Sequence, residues 1–585
     1  MRSHIEIKAL VIIFTSAMLC SPGSAFPSEF RVEMEAPEHI IPALSERLEI
    51  FRWKKDPGTD PAFFRRLYSE TPSQIKNILR ESGYFSPEIH SELKVENGVY
   101  TAYFKIDRGK AARVGSVELS FKGEYLRNPY GCGPSPEEID DEWLLPEGER
   151  FGQGRWNTAK RRLLRVFLTG CYPAAEITAS RAVVDPEKAL ADLHVEIDSG
   201  PAFTLGELKI TGLERYPEEI IHNLNFIREG SPHSRQKLLD LQSRLHETGY
   251  FEYVDVRIEP DPDFHHNVPV QVTVQENKRK EIRTGIELSS DTGAGARFEY
   301  NDINLRRRGL KLQNILQANR VEQLFFSNLR MPTRLNGTYD NYDFTASSSD
   351  IELEELNLLR FGFSRTRPMG TFLRVFRLQY SRETRRLPEE ERESIRALAP
   401  IVSWNARQTD HLLYPSGGYL LNIKTAGAFD GVFSDAGFLH TNIRAKLFRS
   451  LGEHNLFMAR GEAGRVFAGS RTGIPAEFLF RTGGTDTIRG YGYRTIGVPE
   501  GGAIVGGRYL FTGSLEYNRS IGGRWAAAAF IDGGSAYDDR NVFEPVYGYG
   551  VGLRLKTAAG PLNLDIAYGE ARDQYRFHFS MGVVF

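Results

Sequence analysis

The sequence has few cysteines, almost no net charge and no long apolar run after its first residues. Its 585 residues include 3 Cys, with no paired Cys-x-x-Cys motif, which excludes a zinc site built from four cysteines. Lys and Arg (74) balance Asp and Glu (76), so charge gives no reason to expect a nucleic-acid partner. The mean hydropathy of -0.38 excludes a helical membrane protein. What is abundant is Gly (55), Phe (37) and Tyr (25), which is compatible with many β-strands.

The chain also lacks the common motifs of catalysis. It contains no GxSxG nucleophile elbow, no HExxH zinc motif and no P-loop. An acidic stretch at 259–263, followed by His265 and His266, is more typical of a solvated hairpin loop than of a metal site. We therefore expect a protein that is not an enzyme and that uses no cofactor or metal.

The first 25 residues have the pattern of an export signal. Arg2 and Lys8 precede an apolar run of about 12 residues, and small residues ending at Ala25 form a cleavage site. Such a run is too short to span a bilayer, which needs about 20 residues. Cys20 follows Leu19, where a lipoprotein would have a small residue, so we expect export without lipidation.

Removal of this segment leaves two cysteines, Cys132 and Cys171. An even pair in an oxidising compartment can form a disulfide. Because both residues lie in one predicted domain, we expect the bridge, and two buried thiols are the alternative.

The first half of the chain repeats a unit about 75 to 90 residues long. A helical stretch ends in a similar glycine-containing motif each time, and two alternating strands follow it. Gly249 illustrates the motif, because it stands where a helix C-cap favours a left-handed residue. Each unit is predicted to run strand, helix, helix, strand, strand. The three units are assigned to 28–111, 112–201 and 202–277, with the motifs at Ser82–Phe85, Thr169–Tyr172 and Thr248–Phe251.

From residue 278 to 585 the pattern changes to period-two alternation. Transmembrane β-strands need about 9–11 residues with alternate apolar and polar side chains. A strand of a soluble sheet is the alternative, but it would seldom carry so many large apolar residues on one face and end on an aromatic. Bilayer-spanning strands must close into a barrel, and sixteen strands would use about 19 residues each with their connections. In the last strand the apolar face holds Tyr575, Phe577, Phe579, Met581, Val583 and Phe585, and the polar face holds Arg576, His578, Ser580 and Gly582.

A glycine-rich stretch, Arg481–Gly497, is predicted to be a loop, and two strands with acidic residues follow it. Alternation places Glu516 on a polar face that points into the lumen, and it places Phe530, Asp532 and Gly534 together on one face of the next strand. Two carboxylates in a narrow lumen favour a cationic partner, and an arginine can bind them through bidentate hydrogen bonds. Ordinary solvated lumen charges are the alternative. The centre of the loop is Ile488, Arg489, Gly490 and Tyr491.

Taken in this order, the motifs resemble the outer-membrane assembly superfamily that includes BamA, TamA and the two-partner secretion translocators. Its signature is an inward-folded loop with a V/I-R-G-F/Y tip, which Ile488–Tyr491 matches. In that family the tip arginine contacts acidic residues of the following strands, which here correspond to Glu516 and Asp532. The repeated units resemble POTRA domains. The implied fold is α+β tandem POTRA domains (β-α-α-β-β) followed by an all-β transmembrane barrel of sixteen strands, 278–585.

The resemblance implies a helper for the insertion and secretion of outer-membrane proteins, autotransporters above all. Three modules without an obvious plug helix are most similar to the TamA branch. Implied partners are a TamB-like protein that spans the periplasm, unfolded outer-membrane and autotransporter clients, and the lipid bilayer, but no nucleic acid. The implied location is the outer membrane, with the POTRA domains in the periplasm. A polypeptide-conducting translocator and a general insertase like BamA are the alternatives.

A seam between the first barrel strand, near Ile282–Ser289, and the last, Tyr575–Phe585, offers a mechanism without catalysis. If this seam is weakly paired, it can open and offer a strand edge to an incoming chain. Gly582 would loosen the packing there. We further expect Arg489, held by Glu516 and Asp532, to fix the loop inside the lumen.

Overall fold

The computed structural model describes residues 29–54, 56, 59–388, 390–539, 543–557 and 560–581. The predicted export segment, Gly582, Val583 and Phe585 therefore lie outside the described residues. The chain divides into two compact units, with the boundary inside the third repeated module. The first unit contains the first two modules, and the second contains the barrel.

The second and third modules fold in the predicted order of strand, helix, helix, strand and strand, and the first module has one helix more. In all three sheets the last strand is central, flanked by the other two: β1-β3-β2, β4-β6-β5 and β7-β9-β8. The first module comprises β1 (Glu29–Glu35), α1 (Ile41–Arg47), α2 (Glu49–Trp53), α3 (Pro61–Glu81), β2 (Glu88–Glu96) and β3 (Val99–Asp107). The second comprises β4 (Arg113–Lys122), a 3-10 turn (Glu124–Leu126), α4 (Pro136–Glu142), α5 (Gln153–Thr169), β5 (Glu176–Asp185) and β6 (Leu190–Asp198). The third comprises β7 (Leu205–Thr211), α6 (Glu219–His222), α7 (Arg235–Glu247), β8 (Phe251–Arg257), a 3-10 turn (Pro262–Phe264) and β9 (Val268–Glu276).

The second module shows how these sequences build a core. Helix α5 buries Trp156, Leu163 and Phe167, which recur at helical spacing and pack with the inner face of the sheet. The residue after the glycine that ends this helix, Cys171, is fully buried and forms a disulfide with Cys132. The two Cα atoms are 5.9 Å apart, and the bridge closes 39 residues of chain. The bond therefore ties the connection after β4 to the end of α5.

Among the described residues, sixteen antiparallel strands close into a barrel, as predicted. Side chains alternate between the lumen and the outside: Asp532 is fully buried, whereas its neighbour Ile531 is half exposed on the outer face. The outer face carries many exposed large apolar residues, among them Phe361, Leu515 and Val551. The strands are β10 (Lys280–Ser289), β11 (Gly293–Leu305), β12 (Leu310–Ala318), β13 (Glu322–Arg330), β14 (Tyr339–Ile351), β15 (Glu354–Met369), β16 (Phe372–Arg386), β17 (Glu393–Thr409), β18 (Gly417–Ala428), β19 (Phe438–Leu451) and β20 (Asn455–Phe467), and then β23 (Tyr509–Gly522), β24 (Trp525–Tyr537), β25 (Val546–Thr557), β26 (Gly560–Gly569) and β27 (Gln574–Met581).

Between β20 and β23 the chain forms a long connection, residues 468–508, which we call the lumen loop. It contains a 3-10 turn (Ala476–Phe478) and a small hairpin of β21 (Val498–Glu500) and β22 (Ala503–Val505). A last 3-10 turn, Glu570–Arg572, connects β26 to β27. No helix within the described residues has the length and apolar character needed to cross a membrane.

Loss of the disulfide should loosen the second module selectively. Closing a loop of 39 residues removes unfolded-state entropy worth about 4 kcal/mol in the chain-entropy model. We therefore expect Cys132→Ala/Cys171→Ala to raise amide hydrogen exchange in β6 by orders of magnitude. Exchange measured by mass spectrometry on the full-length protein tests this, with β3 of the first module as the internal control. Unchanged exchange in β6 would show that the bridge adds little stability.

Candidate functional site in the barrel lumen

The base of the lumen loop packs against the inner wall through an apolar contact. Phe478 is fully buried in a cluster with Phe438, and the two ring centroids are 4.9 Å apart. The wall offers small lumen-facing residues there, including Ala399 and Ala426, which leave room for the ring. This part of the loop is thus held by the exclusion of water rather than by charge.

Polar contacts fix the same turn to β15 and β16. The carboxylate of Glu477 accepts hydrogen bonds from Arg360 Nη1 at 3.1 Å and from Gln379 Nε2 at 2.8 Å. The carboxylate of Glu383 accepts the backbone N–H of Ala476 at 3.0 Å. The loop base is therefore anchored on the wall opposite the strands that follow it in sequence.

The tip of the lumen loop carries a buried arginine that binds two wall strands. Arg489 Nε and Nη2 donate to the two oxygens of Asp532 at 2.7 and 2.9 Å, a bidentate pair. Its Nη1 donates to Glu516 Oε2 at 2.6 Å, and its backbone N–H donates to Asp532 at 3.0 Å. The guanidinium carbon lies 3.3 Å from the ring centroid of Phe530, a cation–π contact. The predicted residues are therefore brought together at one point.

The cluster extends to three residues that the sequence did not single out. Arg554 on β25 bridges Glu516 at 3.0 Å and Asp565 at 2.5 Å, and Asp565 also lies 3.4 Å from Arg489. Arg460 on β20 lies 3.5 Å from Asp532. Formal charge balances, because three guanidinium groups face three carboxylates. The charge cluster comprises Arg460, Arg489, Arg554, Glu516, Asp532 and Asp565.

The next two residues of the tip contact the last strands of the barrel. The backbone N–H of Gly490 donates to His578 Nε2 on β27 at 2.8 Å. The hydroxyl of Tyr491 donates to the carbonyl of Tyr547 at 3.1 Å and accepts the backbone N–H of Ala571 at 3.0 Å. Together with Arg489, the tip reaches all five strands from β23 to β27.

Glycines on β25 and β26 give the tip its seat. A Cβ at Gly548 would lie 1.9 Å from the carbonyl oxygen of Arg489, and a Cβ at Gly569 would lie 2.7 Å from that of Gly490. Gly490 itself has a φ of +93°. Gly548 and Gly569 therefore form the surface against which the loop backbone lies.

The remaining predicted site residues lie on the walls around the tip and at the seam. Ile488 is fully buried beside Arg489, and a Cβ at Gly534 would lie 2.1 Å from the carbonyl oxygen of Phe511. On the last strand, Tyr575 and Phe577 are exposed on the outer face. The placement of Phe579 is described below, and Gly582 and Phe585 lie outside the described residues.

The seam between the first and last strands is closed by few contacts in the described residues. Strand β10 pairs with β11 along its full length, but it pairs with β27 only at Ser289 and Ser580. Next to this pair, the backbone N–H of Ser290 donates to the carbonyl of Phe579 at 3.1 Å, and Ser290 Oγ accepts the N–H of Phe579 at 3.1 Å. Within the described residues, these contacts join the first strand to the last.

Comparisons with known proteins identify the architecture. A family model described as the Omp85 superfamily domain matches residues 266–585, and a POTRA model described as "Surface antigen variable number repeat" matches 203–277. The outer membrane protein assembly factor BamA from Nitratidesulfovibrio vulgaris is 25% identical over 582 residues, covering 93% of this chain and 71% of that protein. BamA from Neisseria meningitidis serogroup B is 20% identical over 477 residues, covering 74% of this chain and 57% of that protein.

A solved structure supports the fold in particular. The crystal structure of BamA from Haemophilus ducreyi lacking POTRA domains 1-3 is similar with a TM-score of 0.70 and 15% identity. The match covers 81% of this chain and all of that one. The expected architecture of POTRA modules followed by a sixteen-strand barrel is therefore confirmed.

Loss of the tip arginine should release the lumen loop. Arg489→Ala removes the cation that pairs with the buried carboxylates of Glu516 and Asp532. Such a change lowers the free energy of unfolding by about 3–5 kcal/mol. We expect the loop to become accessible to protease and the barrel to unfold at lower temperature on semi-native gels. Arg489→Lys keeps the positive charge but cannot make the bidentate hydrogen bonds, so we expect intermediate protease sensitivity and an intermediate unfolding temperature. Arg519→Ala, on the exposed end of β23, is the control. Wild-type protease resistance in Arg489→Ala would contradict the role assigned to the tip.

A single methyl group added at Gly548, where the loop tip lies on β25, should also release the tip, without changing any charge. Gly548→Ala places its Cβ against the Arg489 carbonyl, so the tip has to move. We expect faster amide exchange across residues 484–495. The matched control is Gly513→Ala on β23, where a Cβ meets open space. Equal exchange in the two variants would show that the tip does not depend on this contact.

Proposed function

Because this chain belongs to the Omp85 superfamily, we propose that it inserts β-barrel proteins into the outer membrane through the seam between its own first and last strands. The barrel lies in the outer membrane and the POTRA domains lie in the periplasm. The observation that carries the proposal is the seam, where the described residues join the first and last strands at the pair Ser289–Ser580 and through Ser290 and Phe579.

The proposed mechanism is strand addition rather than chemistry. An edge strand presents unpaired backbone N–H and C=O groups, and these groups can pair with any extended chain. In the described residues, β10 and β27 pair across the seam at Ser289 and Ser580. Their outer faces are apolar, with Ile286, Tyr575 and Phe577 exposed, so an incoming strand finds both hydrogen-bond partners and a lipid-facing surface.

The POTRA sheets are proposed to receive clients in the periplasm. In the first module the order β1-β3-β2 leaves β2 at a sheet edge, and its residues are largely exposed. The same holds for β5 in the second module. An extended client segment can therefore add to either edge before it reaches the seam.

At a finer level we propose a role of the TamA type. The chain spans 71% and 57% of the two BamA relatives, and its described residues contain three POTRA modules. We propose a narrow set of clients, autotransporters above all, with a TamB-like protein as the periplasmic partner. No catalytic step is part of this proposal.

Depletion of the protein in its own bacterium, followed by quantitative proteomics of the outer membrane, tests the proposal. A narrow loss of autotransporters and a few other barrels is expected. General loss of barrel proteins with loss of viability would assign the BamA-like role instead. Loss of one secreted protein, with the outer membrane otherwise intact, would assign a two-partner translocator.

Locking the seam should stop insertion reversibly. Cross-strand neighbours have Cα atoms about 4.5–5.5 Å apart, a separation that a disulfide spans. We expect Ser289→Cys/Ser580→Cys to be inactive when oxidised and active after reduction, measured as client insertion into proteoliposomes. The control is Gln323→Cys/Ser348→Cys, a cross-strand pair between β13 and β14. Full activity of the oxidised seam variant would refute insertion through this seam.

A further inference from the structure

The lumen loop also contacts the chain on both sides of the seam. On the side of the last strand, Gly490 donates its N–H to His578 at 2.8 Å. On the side of the first strand, Asp291 Oδ2 accepts both the backbone N–H and the hydroxyl of Thr485, at 2.8 and 2.7 Å. Asp291 lies in the turn that follows β10, and its own N–H donates to Ser289 Oγ at 3.1 Å. The loop therefore bridges the seam directly above its paired residues.

The tautomer of His578 follows from its contact with the loop. A backbone N–H can only donate, so His578 Nε2 is the acceptor and the proton of the neutral ring lies on Nδ1. Nδ1 faces Asp291 Oδ1 across the seam at 3.9 Å, beyond hydrogen-bond range. Both atoms are buried, and neither has a hydrogen-bond partner among the described residues. A donor on the last strand and an acceptor in the turn after the first strand therefore oppose each other across the seam.

The backbone of the loop is shaped for this contact. Gly484 has a φ of +104°, and a Cβ there would lie 2.6 Å from Asp291 Oδ2. Only glycine lets the loop approach the carboxylate so closely. On the other side of the seam, the charge cluster fixes the loop to β23, β24 and β26 through buried ion pairs of Arg489. Movement of the first strand away from the last must therefore break the bonds between Thr485 and Asp291.

We infer that Asp291, Thr485 and His578 form a latch through which the lumen loop holds the seam closed. The three are positioning residues for lateral opening. This inference deepens the proposed function and rests on it. The latch consists of a few hydrogen bonds, so an incoming strand that replaces them with its own backbone bonds can open the seam without displacing the charge cluster.

Amide hydrogen exchange of the full-length protein in lipid nanodiscs tests the latch. We expect Asp291→Ala and His578→Phe each to raise exchange in both 280–290 and 574–581 by about five-fold or more, since a buried hydrogen bond is lost. His578→Gln retains an acceptor for Gly490 and should restore most of the protection. Thr485→Val, a loop substitution that leaves the wall strands intact, should raise exchange less than Asp291→Ala because its backbone N–H remains.

The matched control is His440→Phe on β19. Its ring donates from Nδ1 to the carbonyl of Phe478 at 2.9 Å, so it contacts the base of the same loop away from the seam. Exchange at the seam should remain at the wild-type level in this variant. An equal rise in His440→Phe, or no rise in Asp291→Ala and Thr485→Val, would overturn the latch. If His578→Phe fails to fold, the Asp291 and Thr485 variants decide the question.

The measurement separates the latch from the proposed function. Exchange is read on the purified protein without any client, so it reports the seam even if depletion leaves the outer membrane unchanged. Conversely, a normal insertion defect on depletion together with unaltered exchange in the latch variants would keep the function and remove the latch.

Discussion

A carboxylate buried in a barrel wall has to be paired, and this requirement determines where the lumen loop lies. Removing an ion from water costs several kcal/mol, which only close opposite charges and hydrogen bonds offset. Asp532 is fully buried, and the loop supplies its bidentate partner, Arg489. If the loop left the lumen, the buried carboxylate of Asp532 would lose this ion-pair partner. The glycine seat on β25 and the apolar packing of Phe478 follow from that fixed position.

Much of this arrangement could be predicted because its signals are local. Period-two alternation is enough to place Glu516 and Asp532 on the lumen face, since neighbouring side chains of a strand point to opposite sides. The order of strands and helices in the modules follows from helical spacing and glycine caps in the same way. Arg489 was assigned through a motif that lies within four consecutive residues. In each case the information is contained in one short stretch of chain.

The rest of the site depends on contacts between distant segments. Arg554 and Asp565 lie on polar faces that alternation marks, but their pairing follows from the register of β25 against β26, which no local pattern specifies. Asp291 lies in a turn, where alternation gives no direction at all. His578 was placed on a polar face, yet its partner is a backbone N–H at Gly490, which carries no side chain to suggest the contact. Register and loop path together create these contacts.

The buried ion pairs and the hydrogen bonds across the seam have different roles. The ion pairs hold the loop in place, and the hydrogen bonds can be exchanged. The charge cluster is buried and balanced, so breaking any part of it leaves an uncompensated ion, and the loop stays on β23 to β26. The contacts that cross the seam are hydrogen bonds around Thr485 and Gly490, and each adds only about 1–2 kcal/mol. An incoming strand can offer equivalent bonds, so opening exchanges similar interactions rather than losing them. A barrel held in this way can open at one junction while its lumen loop and the rest of its wall remain in place.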